Sequence, residues 1–93
     1  MRESDIEAYL VREVRRLGGL AVKHISPGRS GDPDRLVKLP GKPMALAEIK
    51  RPGEVARPDQ EARLCEWAQL GVLVGMLSTK WQIDQFLRKA MDQ

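Results

Sequence analysis

Three charged residues in the first half of the chain have types and spacing that could hold a metal ion beside an ammonium group. Asp34 follows a proline at the end of a loop, and Glu48 and Lys50 flank a single apolar residue further along. If residues 45–50 form a strand, Glu48 and Lys50 point to the same side, with Cα atoms about 6.6 Å apart. Burying a carboxylate and an ammonium there is costly unless they pair or bind a metal. Taken alone, the Glu48-x-Lys50 pattern is also typical of an ion pair at a half-exposed strand end.

The turn between two candidate strands determines whether the carboxylates meet. Pro40-Gly41-Lys42-Pro43 is a hairpin signal, and it separates a strand predicted from Asp34 to Leu39 from one predicted from Met44 to Lys50 or Arg51. In a hairpin folded about this turn, Asp34 faces about residue 49. We therefore predict that Asp34 and Glu48 come together at one end of the sheet.

The rest of the chain predicts three helices and two further strands around this hairpin. Ser4 and Glu7, three residues apart, predict a capping box at the start of the first helix. The predicted elements are a helix from Ser4 to Leu17, strands at 20–25, 34–39 and 44–50, a helix from Pro58 to about Leu70, a strand at 72–77, and a helix after Thr79. This order, α-β-β-β-α-β-α, predicts an α/β fold with a mixed central sheet flanked by helices, in one domain spanning residues 1–93.

Composition limits the classes of partner. The formal net charge is +3 and the isoelectric point is about 9.4, which permits a polyanionic partner. Residues 1–53, which contain the acidic motif, carry 11 Lys and Arg against 7 Asp and Glu. Carboxylates that hold a cation among basic residues that hold phosphate would give this mixture, and so would a solvated surface. Only 4% of residues are aromatic, which argues against binding single strands by successive base stacking.

Location can be predicted from the cysteine content and from hydropathy. Cys65 is the single cysteine, so no intramolecular disulfide forms, and a reducing compartment fits. The polar start of the sequence is unlike a signal peptide. The longest apolar run, Leu70 to Leu77, is too short to span a bilayer. We therefore expect a cytoplasmic protein with no membrane partner.

The full pattern of motif residues resembles a known family. Gly31-x-Pro33-Asp34, Glu48-x-Lys50 and Gln60 together are similar to the signature of the PD-(D/E)xK nucleases and, in this fuller form, of the virus-type replication-repair nuclease (VRR-NUC) domain. The resemblance spans about the whole chain, and the core of that superfamily has the same order of elements. It implies a metal-dependent DNA endonuclease of the stand-alone bacterial or phage type. Such proteins look like homodimers that resolve four-way (Holliday) junctions in DNA repair and recombination.

The resemblance also implies roles for individual residues. Asp34 and Glu48 would ligate Mg²⁺ or Mn²⁺, and the backbone carbonyl of Ile49 would add a third oxygen. Lys50 would either act on the attacking water or hold the scissile phosphate, and Gln60 would lie beside the site. Because all of these donors are hard oxygens, a zinc site built from cysteine and histidine is excluded.

Two further sets of residues complete the expected site. The resemblance implies a glutamate from the first helix, for which both Glu3 and Glu7 are candidates, and Glu7 could instead serve only as a cap. Basic residues near the motif are the expected DNA contacts: Arg29, Arg35, Lys38 and Arg51. Two alternatives stay open, a flap-cutting repair nuclease and a DNA-binding module that has kept a nuclease-like fold without its activity.

Overall fold

The computed structural model describes all 93 residues and confirms the predicted order of elements, α-β-β-β-α-β-α. Each strand is two residues shorter than predicted, or three for β3 where Arg51 is counted. The bounds are α1 Glu3–Arg16, β1 Leu20–Lys23, β2 Arg35–Lys38, β3 Ala45–Ile49, α2 Pro58–Gln69, β4 Val74–Leu77 and α3 Lys80–Met91. No helix is both long enough and apolar enough to cross a membrane.

The four strands form one mixed sheet in the order β1-β2-β3-β4. The first three strands are antiparallel neighbours, and α2 provides the crossover that makes β4 parallel to β3. Arg35 pairs with Ala47 and Val37 with Ala45, so the hairpin register differs by one residue from the predicted one. Extended by one position, this register sets Asp34 opposite Glu48.

The main core lies between one face of the sheet and helices α1 and α3. Ile6, Leu10 and Val14 recur at helical spacing on α1 and are fully buried. The odd-numbered residues of β2 and β3 supply the facing surface, because alternate strand residues share a face. The sheet and α3 contribute these members of the core: Ala21, Val37, Leu39, Ala45, Ala47, Ile49, Leu77, Ile83, Phe86, Leu87 and Ala90.

Helix α2 covers only part of the opposite face of the sheet. Leu36, Leu46, Trp67 and Val72 help to line a cavity of about 270 Å³ between that face and α2. The outer part of the face is bare, since Leu20 on β1 is 60% exposed. The side chains of Asp34, Glu48 and Lys50 belong to this less covered face, at the end of the sheet.

Replacing Leu10 by alanine tests the main core. Leu10 is fully buried, so Leu10→Ala removes apolar contacts and leaves a cavity, and we expect the free energy of unfolding to fall by about 2–5 kcal/mol. The same substitution at the exposed Leu20 is the matched control, with an expected change of about 0.5 kcal/mol or less. Urea unfolding measures both. Equal losses in the two variants would contradict this account of the core.

Candidate active site

Asp34 and Glu48 lie side by side where β2 begins and β3 ends. The Asp34 carbonyl accepts a hydrogen bond of 2.7 Å from the His24 N–H, which holds Asp34 against β1. The N–H groups of Leu46 and Lys50 donate to the Leu73 and Leu77 carbonyls, on the β4 side of β3. Asp34 and Glu48 therefore occupy a non-hydrogen-bonded position of the antiparallel ladder. The Cα atoms of such pairs are about 4.5 Å apart, and their side chains share a face. The hairpin therefore brings the two carboxylates together.

The environment of Glu48 favours a bound cation. Burial, followed by the negative charge of Asp34, raises the pKa of Glu48 from its ordinary value of 4.5 to about 7. The charge of Glu3 acts in the same direction, whereas the charge of Lys50 and the backbone amide of Asp34 oppose it. A carboxylate that is costly to ionise beside another carboxylate is stabilised when a cation binds between them.

Lys50 lies beside Glu48 without forming a tight ion pair. It is buried, with 9% of its surface exposed, and its N–H donates to the Leu77 carbonyl at 2.9 Å. None of the eight ion pairs in the structure includes Glu48 or Lys50. The simple ion pair that the Glu48-x-Lys50 pattern allowed is therefore absent, and the ammonium is not held by a carboxylate.

The sheet also provides a backbone oxygen at this position. In β3, the odd-numbered residues direct their N–H and C=O groups toward β2, since the even-numbered ones bond to β4. The register places Ile49 opposite Pro33, and proline has no N–H to donate. The β2 side of the ladder thus supplies no partner for the Ile49 carbonyl, which lies next to the two carboxylates.

The two glutamates of α1 have different surroundings. Glu7 forms an ion pair with Arg35, with Oε1 3.0 Å from Nη2, and its Oε1 lies 3.6 Å from the Lys23 ammonium. Glu7 is not a cap, because α1 begins at Glu3 and the N-cap is Arg2. The predicted capping box of Ser4 and Glu7 is therefore wrong. Glu3 carries no ion pair, and its charge acts on Glu48.

The four expected DNA contacts differ in availability. Arg29 is bound to two carboxylates, Asp32 and Glu66. Arg35 is 7% exposed and occupied by Glu7 and the Ala21 carbonyl. The Lys38 ammonium donates to the Leu39 carbonyl at 3.0 Å, and Arg51 is exposed.

Gln60 is in the first turn of α2 and is buried, with 6% of its surface exposed. Its Oε1 accepts from the Arg57 N–H at 3.1 Å and so caps the helix. The side-chain amide nitrogen is not used in this cap and can donate elsewhere. Gln60 therefore has a structural role that the sequence pattern did not indicate, and its amide group remains available.

A set of contacts that sequence reasoning missed fixes the loop before Asp34 to α2. The Asp32 carboxylate accepts from Trp67 Nε1 at 3.1 Å and from Arg29 Nε at 2.9 Å. Burial acts to raise the pKa of Asp32, but hydrogen bonds led by that of Trp67 lower it overall. Gly31 has φ of +87°, and a Cβ there would lie 2.7 Å from the Asp59 carbonyl oxygen. These contacts hold the backbone two residues before Asp34, and an acidic residue next to Pro33 was the only hint of them in the sequence.

The donor set fits a hard divalent cation. The structure contains no cluster of three or more histidine, cysteine, aspartate and glutamate side chains arranged to hold a metal. Two carboxylates are enough for Mg²⁺ or Mn²⁺, because such ions keep several waters when protein sites bind them. Asp34, Glu48 and the Ile49 carbonyl offer oxygen only, which suits these ions.

Comparison with known proteins finds similarity both in sequence and in structure. No protein-family model matches the chain. A protein of Acyrthosiphon pisum secondary endosymbiont phage 1 named "Putative nuclease p44" is 53% identical over 60 residues, and the match spans 64% of each chain, just under two thirds of that relative's length.

A solved structure described as "VRR_NUC domain" superimposes with a TM-score of 0.85 and 29% identity, covering 92% of this chain and 94% of that one. At this identity and coverage, the likeness extends over nearly the whole chain. The resemblance predicted from the motif is confirmed, and the chain has the fold of a VRR_NUC domain.

Proposed function

We propose that this protein is a metal-dependent DNA endonuclease that acts as a homodimer on four-way junctions. The observation that carries the proposal is the pair formed by Asp34 and Glu48 beside Lys50, with the pKa of Glu48 raised to about 7. The VRR_NUC fold and the relative named as a nuclease support the same reaction class.

The residues divide the work of phosphodiester hydrolysis. Asp34, Glu48 and the Ile49 carbonyl hold Mg²⁺ or Mn²⁺, with Glu3 acting directly or through water. When bound, the cation neutralises phosphate charge, lowers the pKa of a water molecule and stabilises the leaving oxygen. Lys50 lies close enough to Glu48 for its charge to lower the pKa of that carboxyl. From this position Lys50 would orient the attacking water or hold the scissile phosphate. The Gln60 amide contributes hydrogen bonds at the edge of the site.

The preference for junctions is proposed from size and from likeness. A chain of 93 residues offers no recognition helix and few loops that could read bases, so binding depends on the DNA backbone and on shape. Two copies of the site, facing opposed strands, would make paired cuts in a four-way junction. Arg51, next to Lys50 and exposed, is a proposed phosphate contact.

Asp34→Ala is the first test of the site. Removing this ligand should lower cleavage of a labelled four-way junction by more than about 100-fold, beyond the roughly 10–100-fold expected for groups that only orient a ligand. Binding of the junction should persist or tighten, because an acidic charge is lost. Asp92→Ala, at the exposed end of α3, removes the same charge and should cut normally.

The substrates in that assay separate the alternatives. Linear duplex, a 5′ flap and the four-way junction are compared in Mn²⁺ and in Mg²⁺. Symmetric cuts in the junction support the proposal, and cuts confined to the flap would keep a nuclease but reject junction resolution. Binding without metal-dependent cutting would assign the chain to the DNA-binding modules. Cleavage that survives Asp34→Ala would reject the assigned site.

The raised pKa of Glu48 predicts how stability depends on pH and on metal. Between its ordinary value of 4.5 and about 7, the folded chain keeps a proton on Glu48 that the unfolded chain releases. The free energy of unfolding should therefore fall as pH rises through this window. Mg²⁺ or Mn²⁺ should raise the melting temperature at alkaline pH and much less at mildly acidic pH, where the carboxyl is protonated. Thermal unfolding with and without metal measures both effects.

Glu48→Gln provides the control for this prediction. The variant has no ionisable group at this position. Its free energy of unfolding should therefore not fall between pH 4.5 and about 7, and its melting temperature should respond much less to metal. An equal response to metal at both pH values in the parent protein would contradict the assignment of Glu48 as a ligand.

The bond from Trp67 to Asp32 predicts an effect on catalysis that is separate from stability. Trp67→Phe keeps one aromatic ring but removes the indole N–H that holds Asp32 at 3.1 Å, together with the five-membered ring that carries it. We expect kcat to fall by about 10–100-fold, and more metal to be needed for half-maximal activity, because Asp34 is then less well positioned. The KM for DNA should change little.

Tyr9→Phe is the matched control. It removes a hydrogen bond of 2.7 Å from Tyr9 to Asp84, on the α1 and α3 side of the molecule. The lost hydrogen bond should lower the stability of each variant by about 1 kcal/mol, and Trp67→Phe should lose more because its side chain is also smaller. Only Trp67→Phe should lose activity. Equal activity in the two variants would limit the Trp67 contact to a structural role.

A further inference from the structure

A groove follows the exposed side of α1 away from the proposed metal site. Its volume is about 540 Å³, and it is lined by Ser4, Glu7, Ala8, Val11, Arg12, Arg15 and Arg35. It begins one residue from Glu3, whose charge reaches Glu48. We propose that this α1 groove binds the phosphate backbone of a duplex arm of the DNA substrate, an inference that builds on the proposed nuclease function.

The charges in the α1 groove favour a polyanion. Arg12 and Arg15 are exposed, and neither belongs to an ion pair. Glu7 is the acidic residue of the groove, and its charge is offset by Arg35 at 3.0 Å and by Lys23 at 3.6 Å. The surface that remains is positive, and the small side chains of Ser4 and Ala8 also line it.

Two observations separate these arginines from ordinary surface charges. The Arg12 guanidinium lies 5.4 Å from the centre of the Tyr9 ring, which restricts the directions in which it can point. The neighbouring Arg16 points its guanidinium to Glu13 at 3.1 Å and does not line the groove. The helix thus has one arginine that is neutralised by a carboxylate, and two that line the groove without an ion pair.

The spacing along α1 fits a duplex that leaves the proposed site. Arg12 and Arg15 are about 13 and 18 Å from Glu3 along the helix axis, at 1.5 Å per residue. A duplex advances 3.4 Å per base pair, so these distances correspond to phosphates about four and five base pairs from the cut. Two of the basic residues expected from the motif, Arg29 and Arg35, are held by carboxylates, whereas Arg12 and Arg15 have no carboxylate partner.

A second explanation exists for Arg15, one of the two groove arginines. Arg15 and Arg16 are in the last turn of α1, where positive charge stabilises a helix through its dipole. In that case their loss would lower the melting temperature without changing how DNA binding depends on salt. The experiment therefore measures both quantities.

The test measures junction binding at several salt concentrations, without metal and with Asp34→Ala in every protein, so that no cleavage occurs. The double variant Arg12→Ala and Arg15→Ala is the first pair. It is compared with a second pair, Arg16→Ala and Arg88→Ala, which removes the same charge outside the groove. Two lost phosphate contacts should reduce the slope of log K against log salt by about 1.8 in the first pair only. Methylphosphonates placed four and five base pairs from the cut should weaken binding by the Asp34→Ala parent and not by the groove variant.

The outcomes distinguish this inference from the proposed function. Equal slopes in the two pairs, or a lower melting temperature with an unchanged slope, would overturn the groove even if the parent enzyme cuts junctions. A reduced slope in the groove variant supports the groove even if no cleavage is ever detected, because it reports binding alone. In an active enzyme, Arg12→Ala with Arg15→Ala, now with Asp34 intact, should raise KM and leave kcat unchanged, and an unchanged KM would reject the groove.

Discussion

The pairing of β2 with β3 is the constraint on which the proposed site depends. Their register places Asp34 opposite Glu48, and the same register places Ile49 opposite Pro33, where the ladder has no donor. One hairpin therefore assembles two carboxylates and a backbone oxygen from residues that are far apart in sequence. A shift of one residue would turn every side chain of β3 to the other face. It would place Glu48 in the apolar core and expose Ile49. Burial of the alternating apolar residues of β3 therefore fixes the register that forms the site.

The cost of this arrangement is electrostatic. Two carboxylates in a partly buried position repel each other, and the pKa of Glu48 shows that the folded chain tolerates this charge poorly. Contacts around the site hold the two carboxylates in place despite this repulsion, because the loop before Asp34 is bound to α2 through Asp32 and Trp67. Without that anchor, the two carboxylates could separate and relieve their repulsion. Hydrogen bonds outside the site thus preserve a geometry that favours a cation.

The fold was largely predictable from sequence, because helical and alternating apolar periods reported which faces are buried. Ile6, Leu10 and Val14 predicted the buried side of α1, and the Pro40-Gly41 turn predicted the hairpin. Side-chain partners were less predictable. Glu7 pairs with Arg35 across the core, Arg29 pairs with Asp32 and Glu66, and the register differed by one residue. The ion pairs depend on which charged groups the folded chain brings within a few ångströms, and local sequence patterns do not contain that information.

The distribution of charge along α1 connects the metal site with the α1 groove. Acidic residues occupy the first turn and basic residues the last, so the order suits the helix dipole. The same order places negative charge near Glu48, where a cation would bind, and positive charge further away, where a phosphate backbone would continue. Helix stability and DNA binding therefore both favour acidic residues at the start of α1 and basic residues toward its end. The order of the charges alone does not separate the two causes. Only the position of Arg12 and Arg15 along an open groove, with Arg16 turned to Glu13, gives the charges a direction that helix stability does not require.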